Sequence, residues 1–268
     1  MNSNKLEIFC VTNQKIPHIE KTNYKIAAVG KNKLPDSYLK CDTSNNIFHK
    51  EENYSELTFH FWYWKNILNH SNTNWIGFCQ KRRFWLKSSS CDKIVSKENI
   101  KEHILIEPEN DWNKYQSIIC NPISVSGPKK IKILKRGWKS FIKDPSILFN
   151  ENKQNIKLHF DMHHGYGNLD QAIGLLNNED KNDFNDYVLN NNKFNPHIMF
   201  IAKKDILDKW FGKLFPWLEK CEEQFGFNNL QGYDTKRLYA YLAERYMSFW
   251  FKKYTKYKEE NWLQLDNY

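Results

Sequence analysis

Residues 51–79 read EENYSELTFHFWYWKNILNHSNTNWIGFC, and this stretch decides the fold class. From Glu51 to Asn69 apolar residues occupy more than one face, with no Gly or Pro to interrupt them. That pattern predicts a helix buried on several sides. A polar gap follows, then WIGFC (75–79), a short apolar run bounded by turn residues, which predicts a buried strand. Upstream, KLEIFCV (5–11) and YKIAAV (24–29) are two more strand candidates, ending at the polar turn TNQK and at Gly30. Residues 31–50, with Pro35, Asp36 and an Asn pair, read as loop.

Downstream of WIGFC comes a cationic cluster, QKRRFW, and then a polar insertion over 86–102. HILIEP (103–108), SIICNPI (117–123) and HIMFIA (197–202) are strand candidates. Ser126-Gly127-Pro128 breaks the chain before a basic run, KKIKILKRGWK (129–139). Helical segments are expected around 163–176 and 179–189, and two amphipathic helices over 204–225 and 235–257. Strand, loop, helix and strand alternate early, which predicts an α/β sheet rather than a sandwich. No repeat and no linker stands out, so one domain, 1–268, with a helical C-terminal part is the expectation.

Composition sets outer bounds. The 268 residues are 40% hydrophobic and 26% charged, as in soluble globular proteins. Mean hydropathy is −0.77, and no apolar run approaches the roughly 18 residues of a membrane span. The start MNSNKLEIF lacks a leader pattern, so a cytoplasmic protein is expected. Forty Lys plus Arg against 31 Asp plus Glu give +9. Part of that excess reflects a Lys- and Asn-rich composition. What survives is an anionic partner: nucleic acid, nucleotide phosphate or an acidic membrane surface. The six cysteines form no C-x-x-C pair, which disfavours zinc and reads as reduced, mostly buried thiols.

Four constellations could carry chemistry. Lys81, Arg82 and Arg83 follow a strand, and ligands of open α/β sheets bind beyond strand ends. They could hold a diphosphate, or form a solvated turn. Glu56, His60 and Lys65 interrupt an aromatic helix, where a structural ion pair is the plain alternative. In HFDMHHGYGNLD (159–170), His159, Asp161, His163 and His164 suggest a metal, yet the spacing is not H-E-x-x-H. Asp170 falls at a helix start, as an N-cap or as a general base. Arg237 and the pair Glu244-Arg245 sit in an aromatic helix, with salt bridging as the default. Phosphate-loop, dinucleotide and nucleophile-elbow motifs are absent from the sequence, as is any D-x-D.

Taken in order, seven segments resemble a family. They are KLEIFCVTNQK (5–15), DTSNNI (42–47), the run from Glu56-Leu57-Thr58 through Trp62, Trp64, Lys65 and Asn66, and IGFCQKRRF (76–84). The others are His163–Asp170, Ile198–Glu219 and RLYAYLAER (237–245). The chain resembles the bacterial capsular-polysaccharide and O-antigen glycosyltransferase family long catalogued as a domain of unknown function. Its characterised members are β-galactofuranosyltransferases. The family's His-Tyr before the arginines is Gln80-Lys81 here, its Gly-Asp in the polar turn is Ser44-Asn45, and its Gly-Phe is Ala240-Tyr241.

The resemblance implies a GT-A-like fold, a Rossmann-related central mixed sheet. Residues 1–130 would form a nucleotide-sugar half and 131–268 an acceptor-side half. It implies inverting transfer of a sugar, galactofuranose among the candidates, from a UDP-sugar to a saccharide or lipid-linked saccharide in surface-polysaccharide synthesis. Thr12, Gly30, Asp42, Asn46, Lys65, Arg82 and Arg83 would bind the nucleotide-sugar. Arg82 and Arg83 would neutralise the diphosphate without a divalent metal. Asp170, with Asp161 and Glu56 behind it, would be the base. His163, His164, Glu244 and Arg245 would serve the acceptor or stand behind it. No cofactor and no nucleic acid are expected, and a peripheral contact with an anionic membrane fits the basic run 129–139. The rival readings are a basic, aromatic-rich nucleic-acid-binding protein and a catalytically inactive member of a synthesis complex.

Overall fold

The computed structural model describes residues 5–127 and 130–265. Pro128 of the expected break, Lys129 of the basic run and residues 1–4 of the N-terminal stretch lie outside the described residues. The strands in chain order are β1 (Leu6–Thr12), β2 (Lys25–Ala28), β3 (Leu39–Lys40), β4 (Trp75–Gln80), β5 (Arg83–Trp85) and β6 (Ser117–Cys120). After them come β7 (Ile123–Ser124), β8 (Lys193–Phe194), β9 (Phe200–Ala202), β10 (Tyr257–Glu260) and β11 (Trp262–Gln264). The helices are α1 (Pro17–Glu20), α2 (Glu51–Tyr54), α3 (Leu57–Asn66), α4 (Ile100–His103), α5 (Lys130–Arg136) and α6 (Trp138–Lys143). They continue with α7 (Ile156–His164), α8 (Asn168–Gly174), α9 (Asn178–Asn190), α10 (Lys204–Phe225), α11 (Tyr233–Lys236) and α12 (Leu238–Tyr254).

The central sheet is mixed and runs β10-β6-β9-β4-β1-β2-β3, with β5 and β11 attached beside β4. β1 is parallel to both β2 and β4. The chain leaves β1 toward β2 and β3 on one side, then crosses to β4 on the other. Strand order therefore reverses at β1, and a crevice opens beyond the carboxyl ends of β1 and β4. Val11 pairs with Gln80 there, so both strands end at the same level.

Both sheet faces are covered, as parallel strands require. Phe9 and Val11 of β1 face one core with Phe78 of β4, while Ile8 and Cys10 face the other with Cys79. The first core takes the aromatics of α3, α10 and α12. Phe78 at its centre touches the rings of Phe9, Phe59, Tyr63 and Phe200. The high aromatic content is thus largely interior, and truncating such a ring costs about 3–5 kcal/mol. Gly77 is required by packing: a Cβ there would lie 2.7 Å from Ile201.

The structure departs from the sequence expectations at several places, among them β3 within the expected loop 31–50 and the interruption at 165–167 of the helix expected around 163–176. The helix expected over 51–69 is two helices, broken where Ser55 takes φ +51°. HILIEP is no strand: His103 ends α4, and Ile104 makes an isolated bridge to Leu86. Part of the cationic cluster is itself a strand, β5, folded back on β4 through Lys81-Arg82. HIMFIA is extended only over Phe200–Ala202. The helix expected to reach Tyr257 ends at Tyr254, and residues 257–264 add β10 and β11. β10 covers the open edge of β6, whose backbone groups would otherwise lack partners. Strands of the sheet come from both 1–130 and 131–268. Five cysteines are buried and Cys91 is exposed.

Candidate functional site

A cleft open to solvent occupies the crevice beyond β1 and β4. Its floor is the ends of three strands: Val11-Thr12 of β1 with Asn13 after it, Val29 after β2, and Gln80 at the end of β4. Thr12 is the last residue of β1. Its hydroxyl donates to the Gln14 carbonyl (2.6 Å) and accepts from the Gln14 N–H (3.0 Å). Glu51, Ser55 and Glu56 at the α2–α3 break form one wall. Arg237, Ala240, Tyr241 and Glu244 from the start of α12 form another, and His197-Ile198 before β9 close the back.

Four cations line this cleft: Lys81, Arg82, Arg83 and Arg237. The β4–β5 hairpin delivers the first three. It is pinned from outside by β11, whose Gln264 pairs with Arg83, and Leu265 N–H donates to the Arg82 carbonyl (2.8 Å). The Arg82 Nε is buried without a hydrogen-bond partner. Burial, then the charges of Arg82 and Arg237, lower the Lys81 ammonium below its usual range, with Glu51 opposing. Lys81 donates to Asn13 Oδ1 (2.6 Å). A cluster of like charges and an orphaned buried donor are what an anion would satisfy.

Three carboxylates share the cleft: Glu51, Glu56 and Glu244. Glu56 accepts a hydrogen bond from Gln80 Nε2, which also donates to the His197 carbonyl (2.7 Å). Desolvation holds the Glu56 carboxyl above the usual carboxylate range, and Glu51 is raised for the same reason. Glu244 accepts from the His197 N–H and pairs with Arg245. Behind it, the Arg245 guanidinium stacks on Phe194, 3.7 Å from the ring centroid. Burial, then the nearby Arg83 and Arg245, push His197 down to about 2, so its ring is neutral.

Backbone strain gathers here as well. Four non-glycine residues among those described have positive φ: Ser44, Ser55, His197 and Ile198. The last three line the cleft. Such conformations cost about 1–3 kcal/mol each and persist where the surroundings over-determine them.

Of the residues singled out from the sequence, the fold brings Thr12, Glu56, Arg82, Arg83 and Glu244 together in this cleft. Gly30 (φ +77°) sits at its rim, where an added Cβ would press on the Glu51 carboxylate at 3.3 Å. Arg245 lies behind the wall, and His164 stacks on Tyr241 at 3.7 Å.

The others lie elsewhere. Asp161 is buried, accepts from the Gly167 N–H (3.0 Å) and pairs with Lys157. Asp170 is within the first turn of α8 rather than its cap, half-exposed and paired with Lys157 at 2.7 Å. His163 meets Arg136 (2.9 Å). Asp42 is an exposed loop residue, and Asn46 holds its own turn by accepting from Phe48 N–H (3.0 Å). Lys65 is exposed on α3, its ammonium 3.4 Å from the Trp64 ring centroid. No group of three or more His, Cys, Asp or Glu suited to a metal occurs among the described residues.

Asn13, Glu51, Ser55 and His197 line the cleft without having been singled out as site residues from the sequence. Ser55 and His197 stand out by backbone conformation. Arg237 stood beside the pair Glu244-Arg245 in the sequence, and Gln80, Lys81 and Tyr241 stood out as departures from the family pattern.

Residues 7–256 match a family model described as a domain of unknown function (DUF4422). No curated protein matches the chain. The fold is similar to that of WbbM, a bifunctional glycosyltransferase, in its apo structure. The TM-score is 0.74 at 19% identity, covering 98% of this chain and 46% of that one. The chain thus spans about half the length of that protein. Weaker likenesses are to the mannosyltransferase Ktr4p from S. cerevisiae and to core-mannan synthase A from Aspergillus fumigatus. For Ktr4p the TM-score is 0.27 at 10% identity, covering 82% of this chain and 62% of that one. For the synthase it is 0.30 at 11% identity, covering 79% and 64%. The expected GT-A-like class, a central mixed sheet with helices around it, is the one that forms.

Proposed function

The chain belongs to the DUF4422 family, and we propose that it is a glycosyltransferase whose donor is a nucleotide-sugar bound in the β1–β4 cleft. One observation carries this reading. The Lys81-Arg82-Arg83 hairpin and Arg237 converge with the half-buried carboxylate of Glu56 where strand order reverses. In this reading the diphosphate lies against the cations, with the nucleoside toward Thr12-Asn13 and Val29-Gly30. The shared fold with a glycosyltransferase supports it.

Glu56 is the base. Among the three carboxylates the sequence offers for that task, Asp170, Asp161 and Glu56, it is the one that lines the cleft. Desolvation raises its pKa, which makes it a stronger base than a solvated carboxylate. The acceptor hydroxyl gives its proton to Glu56 as its oxygen attacks the anomeric carbon. The bond from that carbon to the diphosphate oxygen breaks, and the electron pair leaves on the diphosphate. Arg82 and Arg83 stabilise that charge as it develops.

Transfer without a divalent cation belongs to the same reading, so EDTA should leave turnover unchanged. The finer assignment rests on the motif resemblance: a UDP-sugar, galactofuranose among the candidates, and a saccharide or lipid-linked acceptor in surface-polysaccharide synthesis at the cytoplasmic side. Calorimetric titration with UDP tests the core of the proposal. Binding should weaken roughly tenfold or more in Arg82→Ala, the loss of one charge-assisted contact. Absence of UDP binding to the intact chain rejects the nucleotide site.

A further inference from the structure

α5 and α6 carry an apolar stripe that no part of the described chain covers. Ile131, Leu134, Trp138 and Ile142 are 66%, 43%, 52% and 68% exposed. Phe149, just beyond, is 77% exposed. The stripe is one helical face. Gly137 N–H donates to the Ile133 carbonyl (2.7 Å) and Phe141 N–H to the Gly137 carbonyl (2.8 Å), which carries the ladder across the junction. At about 100° per residue, positions 131, 134, 138 and 142 then fall within about 80° of one another. The opposite face holds the pair in place. Ile133 is fully buried with Ile147, Leu158 and Met162, in a small core separate from the two that pack the sheet. Gly137 faces Met162, where a Cβ would come within 3.0 Å.

Beside the stripe runs unbroken positive charge. Residues 130–143 contain Lys130, Lys132, Lys135, Arg136, Lys139 and Lys143 and no Asp or Glu. All six are exposed. Arg136 pairs with Asp234, while the five lysines make no ion pair among the described residues. Lys130 lies over the Phe149 ring (4.6 Å) and Lys139 near Tyr166 (5.6 Å), which places charge and aromatic surface side by side.

We propose that α5–α6 is a membrane-contact element that lies in the interface of an anionic lipid surface. Its apolar stripe would enter the headgroup boundary, with the lysines on lipid phosphates. Apolar residues along one face with lysines flanking them, and a tryptophan on the stripe, are the pattern of interfacial helices. Lysine point charges match an anionic leaflet. Three of the four stripe residues, Ile131, Leu134 and Ile142, are aliphatic, which favours a lipid boundary over stacked bases. The inference does not depend on the reaction assigned to the cleft.

Flotation of the full chain with vesicles tests it. The protein should float with phosphatidylcholine–phosphatidylglycerol vesicles, stay at the bottom with phosphatidylcholine alone, and be released by salt. Trp138→Ser with Ile142→Ser should weaken partitioning by roughly tenfold or more. Lys135→Gln with Lys139→Gln and Lys143→Gln should do the same on anionic vesicles. The second variant keeps the test decisive if the first melts early. Failure to float with anionic vesicles, equal flotation with neutral ones, or wild-type flotation of the folded variants overturns the proposal. So does a stripe that instead holds a single-stranded oligonucleotide or joins two copies of the chain.

Discussion

The cleft beyond β1 and β4 and the corner formed by α7 and α8 hold similar residues: carboxylates, histidines and cations in close array. In the corner nearly every group is spent on its neighbours. Lys157 takes both Asp161 and Asp170, Asp161 also holds the Gly167 N–H, and His164 bonds the Asp234 carbonyl while stacking on Tyr241. In the cleft, three cations on one hairpin and Arg237 face a common space, and the Arg82 Nε is left without a partner. The contrast teaches that a list of residue types does not distinguish a site from a polar core. What distinguishes them is whether the groups compensate one another or point together at an opening.

That contrast can be broken by experiment. Glu56→Gln should have the largest effect, a fall in kcat of about 10²–10⁴-fold. Removing a carboxylate whose ionised form is desolvated should leave the melting temperature at neutral pH unchanged or higher. Full turnover in a folded Glu56→Gln enzyme sends the base elsewhere. Asp161→Ala should act in the opposite way. It should cost about 1–3 kcal/mol of stability by leaving the Gly167 N–H without its acceptor and Lys157 with Asp170 alone, with kcat retained once folded. Denaturant titration reads the first effect and saturating turnover the second.

Acid should sharpen the comparison further. Burial holds His60 and His164 down at about 3, and His159 and His197 at about 2. Each is neutral in the folded chain, so the unfolded chain takes up the proton first. Stability is complete above pH ~6.5 and is lost as pH falls toward the folded values, by about 2 kcal/mol per histidine at pH 5. The raised carboxyls of Glu56 and Asp161 offset part of that loss. His159→Gln with His164→Gln should recover roughly half of the histidine share. An unchanged slope between pH 7 and 5 means that the corner does not hold its histidines neutral. The smallest effect belongs to Asp170→Asn. Asp170 is half-exposed and paired at the surface, so stability should shift by under about 0.5 kcal/mol and turnover by less than about twofold. A large loss of turnover would return the base to Asp170.

Much of the fold was legible in the chain. Short apolar runs bounded by turn residues marked β1, β2 and β4, and amphipathic spacing marked α10 with both ends correct. The misses share a cause. Ser55 breaks a helix whose periodicity is intact, because an apolar pattern reports burial and not φ. Tyr257–Glu260 became a strand because the open edge of β6 needed partners, a demand invisible in the local sequence.

By itself the sequence determined an α/β chain with an aromatic interior, a cationic cluster after its third buried strand, and the residue pattern of a family. Those follow from local propensity and hydrophobic period, which act over a few residues. Tertiary structure alone decided which polar residues meet. Val11 and Gln80 are brought level by strand register, and Arg237, from 154 positions after Arg83 (237 − 83), closes the same cleft. Asp161 and Asp170 were both paired with Lys157. Each outcome depends on long-range pairing and on the desolvation it imposes, and neither is encoded in a single segment.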